Sequence, residues 1–471
     1  MSRRRRLAAG TAGGLAALAA LPPAASAHGL VGRADLPIPS YLFGWGAAIV
    51  LVVSFVALGA LWQKPRLQDA GERRLFRIPV AVDVVCGAIG VAIYGVVVYA
   101  GFAGTRAPLL NLEPVFIFVL FWIGGVVVSV LFGNVFRAFN PWRAVGRAAE
   151  WAAGRARGTA VEPRRPYPER LGYWPAAAGI LAFAWVELAY PAKDPRVLAW
   201  LAVAYAVAQL AGIARYGVSA WSDRADAFGV YFGLFGRLSA FTRRDGVLCS
   251  RLPLSGAPSL PLHAGLVGLL CTAIGSTTFD GFSNGPVWAS IHPHLEDFFG
   301  SLGVDTTQRF ELASTVGLIA CVLAVAGFYR LGIRGMETVG EGHDARELAG
   351  RFAHTLVPIV FAYALAHYFS ALVFQGQAAG YLISDPLGDG SDIFGTAHAS
   401  VDKGVISSNT IWYVQVGALI TGHVCGLILA HDRALALYTR ARHAVRSQYW
   451  MLVVMVGFTS LGLWLLSAVN Q

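Results

Sequence analysis

The sequence predicts an all-α fold, a polytopic integral membrane helix bundle of about ten transmembrane helices after a cleavable signal peptide. Three observations predict it. Across 471 residues the chain is 56% hydrophobic and only 14% charged, with a mean hydropathy of +0.56, which is too apolar for an ordinary soluble domain. Apolar runs long enough to cross the hydrocarbon core of a bilayer recur along the whole length. Arginines gather in alternate short loops between those runs, as the positive-inside rule describes.

Taken in order, residues 1–27 carry a basic start at Arg3–Arg6, an Ala/Leu stretch, a Pro22-Pro23 break and the small residues Ala25-Ser26-Ala27. That is the pattern of a secretory signal peptide cleaved after Ala27. The mature chain, 28–471, reads as a single polytopic membrane domain. Its candidate spans are 41–62, 78–102, 114–133, 173–190, 197–214, 259–279, 311–330, 355–375, 410–430 and 449–468.

Basic residues follow every odd-numbered span: Arg73, Arg74 and Arg77; Arg137, Arg143 and Arg147; Arg215, Arg224, Arg237, Arg243 and Arg244; Arg330 and Arg334; Arg433 and Arg440. By the positive-inside rule those loops are cytoplasmic, so both mature termini face outward from the membrane. The aromatic stretch 225–241 is expected to lie in the interface as a re-entrant or amphipathic helix, with an eleventh span as the alternative. Larger irregular external loops are expected at 280–308 and 378–408, where Gly, Pro, His and Asp concentrate.

The formal charge of +10 is explained by these topology signals, and no nucleic-acid module is present. The partner is the lipid bilayer. Five cysteines without CxxC spacing make a disulfide framework an unsuitable reading. GxSxG, HExxH, P-loop and CxxCH motifs are missing, which removes the common soluble hydrolases and covalent haem.

Chemistry is expected where ionisable residues enter apolar segments, because burying them there is costly. His367 and His423 each fall near the middle of a span, on a depth count of about 1.5 Å per residue, so they are candidate neighbours and candidate catalytic groups. Tyr363 lies one turn from His367, and Gly422 and Gly426 flank His423 as a small-xxx-small pair that admits a close helix. A shared metal, haem or proton-relay site is one reading; the other is that each histidine hydrogen-bonds a neighbouring carbonyl.

An outer layer adds Asp280 at the end of span six, Glu187, and the loop histidines His292, His294 and His398, with aspartates Asp385, Asp389, Asp392 and Asp402. These are residue types for a divalent Zn, Mn or Cu ion that activates water, although the aspartates equally suit turns. Cleavage after Ala27 would expose His28, whose α-amine and imidazole chelate copper. An inner layer comprises Asp83, His263, His354 and His431, an acid and histidines of the kind that pass protons toward the cytoplasm; the other reading places His354 and His431 at the interface, His431 beside a surface Asp432-Arg433 ion pair.

Several strings are specific enough to carry a resemblance: AHGLVGRADLPIP at 27–39, STTFDGFSNGPVW at 276–288, AHYFSALVFQGQ at 366–377, SDPLGDGSDIFGTA at 384–397 and GHVCGLILAHDRAL at 422–435. The mature chain resembles a bacterial family of multi-pass membrane proteins labelled fenitrothion hydrolase. The resemblance implies cleavage of an aryl phosphotriester, a small apolar substrate, and brings no catalytic pattern with it. A membrane hydrolase acting through His367 and Asp280 is therefore expected, against a transporter or a copper- or haem-handling protein with a His367–His423 relay.

Overall fold

A chain in lipid must satisfy its own backbone N–H and C=O groups, and helices do so within one segment. The computed structural model describes residues 40–159, 163, 165–190, 194–339 and 341–468. It is nearly all-α. The predicted leader and His28 lie outside the described residues.

The main helices are α1 (Ser40–Leu61), α2 (Val80–Ala103), α3 (Leu112–Phe132), α4 (Pro141–Arg157), α5 (Trp174–Leu188), α6 (Pro195–Tyr216) and α7 (Ala227–Gly236). There follow α8 (Leu266–Ser283), α9 (Pro286–Ser301), α10 (Thr306–Glu337), α11 (Val357–Phe374), α12 (Ser408–Leu437) and α13 (Ala441–Ala468). Among the described residues seven helical stretches are long and apolar enough to cross a membrane: α2, α3, α6, α8, α10, α12 and the stretch Ala345–Leu382 that contains α11. Helices overlie all ten predicted segments, and α5 and α7, the latter outside those segments, are shorter apolar helices.

Side-chain caps start several of them. Asp305 accepts from the amides of Thr307 and Gln308 at the start of α10, Asp194 from Arg196 at α6, and Ser407 from Thr410 at α12.

Four local expectations are corrected. Span six starts late, at Leu266, because Pro258 and Pro261 disfavour helix and Gly265 takes a left-handed φ of 82°. His263 therefore sits in the turn before α8. Gly265 is needed there for space as well, since a Cβ would stand 2.7 Å from the Trp174 amide. The 280–308 region is mostly the helix α9, opened by Pro286 at its first position, and not an irregular loop.

The 225–241 stretch is not an amphipathic surface helix. Its helix α7 is apolar on every face and buries Phe228, Val230, Tyr231, Phe232, Leu234 and Phe235 inside the bundle, as such a helix must. Its N-cap residue, Asp226, is fully buried and accepts from Asn140 Nδ2 and Trp142 Nε1, each at 2.6 Å, and from the Tyr205 hydroxyl at 2.8 Å.

Finally, the basic loops fold into a three-stranded antiparallel sheet, β1 (Arg73–Arg77), β2 (Phe241–Arg244) and β3 (Val247–Ser250), ordered β1-β3-β2. The β2–β3 turn is Asp245-Gly246, both at positive φ (49° and 77°), the conformation a two-residue hairpin demands.

A close seam in the bundle joins α11 and α12. A Cβ on Gly422 would stand 2.2 Å from the Ala362 Cβ and 2.8 Å from the Pro358 carbonyl, and one on Gly426 3.0 Å from the Thr355 carbonyl. The small-xxx-small pair is thus in use, and it sets how α11 presents its histidine. Ascending numbers on α12 meet descending numbers on α11, so the two helices are antiparallel.

Candidate functional site

α11 and α8 bring together the two residues that the sequence singled out separately. His367 Nε2 lies 2.8 Å from Asp280 Oδ2, and the residues are 6% and 0% exposed. His367 projects from the middle of α11, whereas Asp280 stands in the last turn of α8, whose 271–281 stretch is buried. A carboxylate and an imidazole removed from water at this depth are held only if they partner each other.

The pair does not stand alone. Tyr368, next to His367, lies within electrostatic reach of Asp280 and Glu187. The rings of His367 and Tyr368 meet edge-on with centroids 4.7 Å apart. Tyr231 of α7 also feels Glu187. Two carboxyls, one imidazole and two phenols are therefore gathered in the interior, each at most 6% exposed. Sequence reasoning named His367, Asp280 and Glu187 but missed Tyr368 and Tyr231. The signal available was local: a tyrosine flanking the histidine, and a tyrosine in a helix that is apolar all round. On the antiparallel register, Gln415 and Trp412 of α12 stand level with His367 and Ser370.

His423 belongs to a different layer. Gly422 pairs with Ala362, so His423 lies roughly 10 Å from the His367 level at 1.5 Å per residue, and the expectation that they are neighbours is corrected. His423 Nδ1 lies 2.8 Å from the Leu419 carbonyl, while its Nε2 is buried without a hydrogen-bond partner. It lines a cavity of about 30 Å³ shared with Tyr329, Thr355 and Met455, enough for one water. Tyr363 stands between the layers. It is one turn from His367, its ring centroid is 6.0 Å from that of His423, and its hydroxyl donates to the Phe458 carbonyl.

The expected metal set does not converge. His292 and His294 both lie on α9, two positions apart and so on nearly opposite faces. His292 is wedged between Trp288 and Phe310 with Glu296 at 3.7 Å, and His294 is exposed. His398 is exposed in the 378–408 loop. Among the described residues no group of three or more His, Cys, Asp or Glu side chains is placed to hold a metal ion.

The loop aspartates serve turns. Asp385 accepts from the amides of Asp389 and Gly390, Asp389 from Ser391, and Asp392 from the Ser384 hydroxyl at 2.7 Å and the Ala397 amide at 2.9 Å. The Ala397 amide first, and then Ser384, holds the Asp392 carboxyl below the usual aspartate range.

The inner layer is structural. Asp83 pairs with Arg243, and Arg147 is 3.8 Å away. His354 and His431 are buried, not interfacial, at 2% and 1% exposure. The surface ion pair expected at Asp432-Arg433 is overturned, because Asp432 is fully buried. It accepts from Trp62 Nε1, the amides of Arg66 and Leu67, and Gln68 Nε2, while Arg433 donates to the Pro258 carbonyl. That carboxylate, together with His431 Nε2 at 2.9 Å from the Trp62 carbonyl, ties the chain after α1 to α12.

Comparison with protein-family models, with curated proteins and with solved structures returns no match.

Proposed function

We propose that this protein is a polytopic membrane hydrolase of about ten spans, oriented with its arginine-rich loops in the cytoplasm of a bacterium. In this reading His367, oriented by Asp280, acts as general base on an apolar aryl phosphotriester. The observation that carries it is the 2.8 Å His367–Asp280 pair in the bundle interior. Support also comes from the five strings that resemble the fenitrothion hydrolase family, a resemblance that implies that substrate class.

The chemistry follows from the pairing. Asp280 occupies Nε2, so Nδ1 is the nitrogen left to take a proton from water. The water oxygen forms the new bond to phosphorus, the P–O(aryl) bond breaks, and the phenolate leaves with the bond pair. The proton on His367 then returns to the phenolate or to solvent, and the Asp280 carboxylate stabilises the imidazolium in between. Lipid would deliver a substrate of this polarity directly to the bundle.

The test is hydrolysis of a chromogenic aryl phosphotriester by the purified chain in detergent. Turnover is expected, and His367→Gln should lower it by about 10²–10⁴-fold, the usual worth of a general base. A wild-type preparation that leaves the triester intact contradicts the reading.

One arrangement favours a second reading. His367, Tyr363 and the water-sized cavity at His423 form a discontinuous polar file across the α11–α12 seam, of the kind a proton relay uses. That reading predicts proton flux in proteoliposomes that His423→Ala abolishes, with no dependence on the triester.

A further inference from the structure

A cavity of about 660 Å³ lies far from the histidine site, at the end of the bundle that carries the β-sheet. Its walls come from the first turn of α2, the 132–138 connection, α4, the end of α7 and the hairpin of β2 and β3. Seven arginines line it against two aspartates.

Most of those arginines are already committed. Arg243 is held by Asp83, Arg137 by Asp223, and Arg244 by Glu72 at 2.8 Å. Arg251 reaches the same Glu72 at 3.9 Å and donates to the carbonyls of Ser239 and Gly236. Even with Asp223 and Glu72 counted beside the two lining aspartates, three positive charges are in excess.

The excess falls on Arg237, Arg147 and Arg143. Arg237 has no carboxylate and donates only to the Gly256 carbonyl and the Ser259 hydroxyl. Arg147 has only the distant edge of Asp83, at 3.8 Å. Arg143 Nη1 is buried with no hydrogen-bond partner. Burial, with Arg137 nearby, brings Arg143 down to about 10, so it stays charged at neutral pH. A buried guanidinium nitrogen without an acceptor is unfavourable, and the ligand that relieves it is an anion with several acceptor oxygens.

We propose that this cavity binds a phosphate-bearing anion, with Arg143, Arg147 and Arg237 as the residues that hold it. Guanidinium forks match phosphate oxygens two at a time, which lysines would not. The phosphate belongs either to a lipid headgroup or to a free small molecule.

The surroundings suit a headgroup. A second, almost wholly apolar cavity of about 450 Å³ lies on the other side of the 136–142 segment, lined by Ile93 and Val97 of α2, Phe116 and Phe121 of α3, and Phe139. Asp83 and Ile93 are roughly 15 Å apart along α2, so the two cavities are spaced like a lipid head and its acyl chains.

The experiment is binding to the full chain in a phosphate-free neutral detergent, read by thermal unfolding and by native mass spectrometry. Three additions are compared: inorganic phosphate, phosphatidylglycerol, and phosphatidylcholine. Saturable stabilisation by phosphatidylglycerol and not by the other two assigns a lipid headgroup; stabilisation by inorganic phosphate assigns a free anion. In either case Arg143→Gln should weaken binding about tenfold or more, the loss expected for one charge-assisted hydrogen bond. Arg147→Gln, at a more exposed site, provides the same comparison if the Arg143 variant unfolds. The proposal is overturned if phosphate and phosphatidylglycerol stabilise no more than phosphatidylcholine, or if both variants bind as the wild type does.

Discussion

Gly422→Ala is the most discriminating perturbation of the seam that positions His367. The added Cβ would stand 2.2 Å from the Ala362 Cβ, about 1.4 Å short of an ordinary carbon–carbon contact near 3.6 Å. Neither atom belongs to a flexible side chain, so α11 and α12 must part by about that distance. Overpacking of this kind costs about 1–3 kcal/mol, and the separation moves His367 relative to Asp280. The same helix supplies a control at Gly417, where a Cβ meets nothing within 4 Å. There the Ala substitution should be neutral or stabilising by about 0.5 kcal/mol.

The clash is mostly between two Cβ atoms, so adding Ala362→Gly should restore about 1 kcal/mol or more of the loss. The residual 2.8 Å approach to the Pro358 carbonyl should prevent full recovery. Thermal unfolding of the four proteins in one detergent reads all of this. If Gly422→Ala melts like Gly417→Ala, or if Ala362→Gly rescues nothing, the seam is not packed as described.

Two further outcomes are expected. Asp432→Ala removes the shared acceptor of Trp62, Arg66, Leu67 and Gln68 and should cost about 3 kcal/mol, because buried donors are left unmade; protease cleavage near residue 66 should rise in parallel. The Asp392 carboxyl is held below its ordinary value of 3.8 by Ala397 and Ser384. Its contribution to the 384–397 turn is therefore present above that value and lost as pH falls through the lower folded one. Hydrogen exchange in this loop should accelerate on acidification, and Asp392→Asn should flatten the dependence.

The large elements were legible because their signals are long and redundant. A run such as VAVDVVCGAIGVAIYGVVVYAGFA reads as a span-length helix even with Asp83 in its first turn, and α2 is that helix. Gly422 and Gly426 could be read as a close seam because only backbone proximity explains two glycines four apart beside a histidine. The Asp280–His367 pair was only half legible. Each residue stood out as a costly charge in an apolar run, but the contact spans 87 positions, and nothing local sets it.

Depth counting failed for His423 because α11 starts after a turn of 3-10 helix at Ala353–Leu356 and the two helices are offset. Asp432 and His431 misled because DR reads as a surface pair, whereas the acceptor needs of residues 62–68 pull the aspartate inside. The sheet has one short local signal, the two-residue turn Asp245-Gly246 between RR and VLCS, set in a loop whose arginines read as topology signals.

The central claim is that His367 and Asp280 act as one unit. Its most direct measurement is triester turnover by His367→Gln, Asp280→Asn and the double variant, each checked for folding by its melting temperature. If the pair is a unit, the double variant loses no more than the worse single one, because the second substitution removes a group already without its partner. Losses that simply multiply, or an Asp280→Asn protein as active as the wild type, would contradict it.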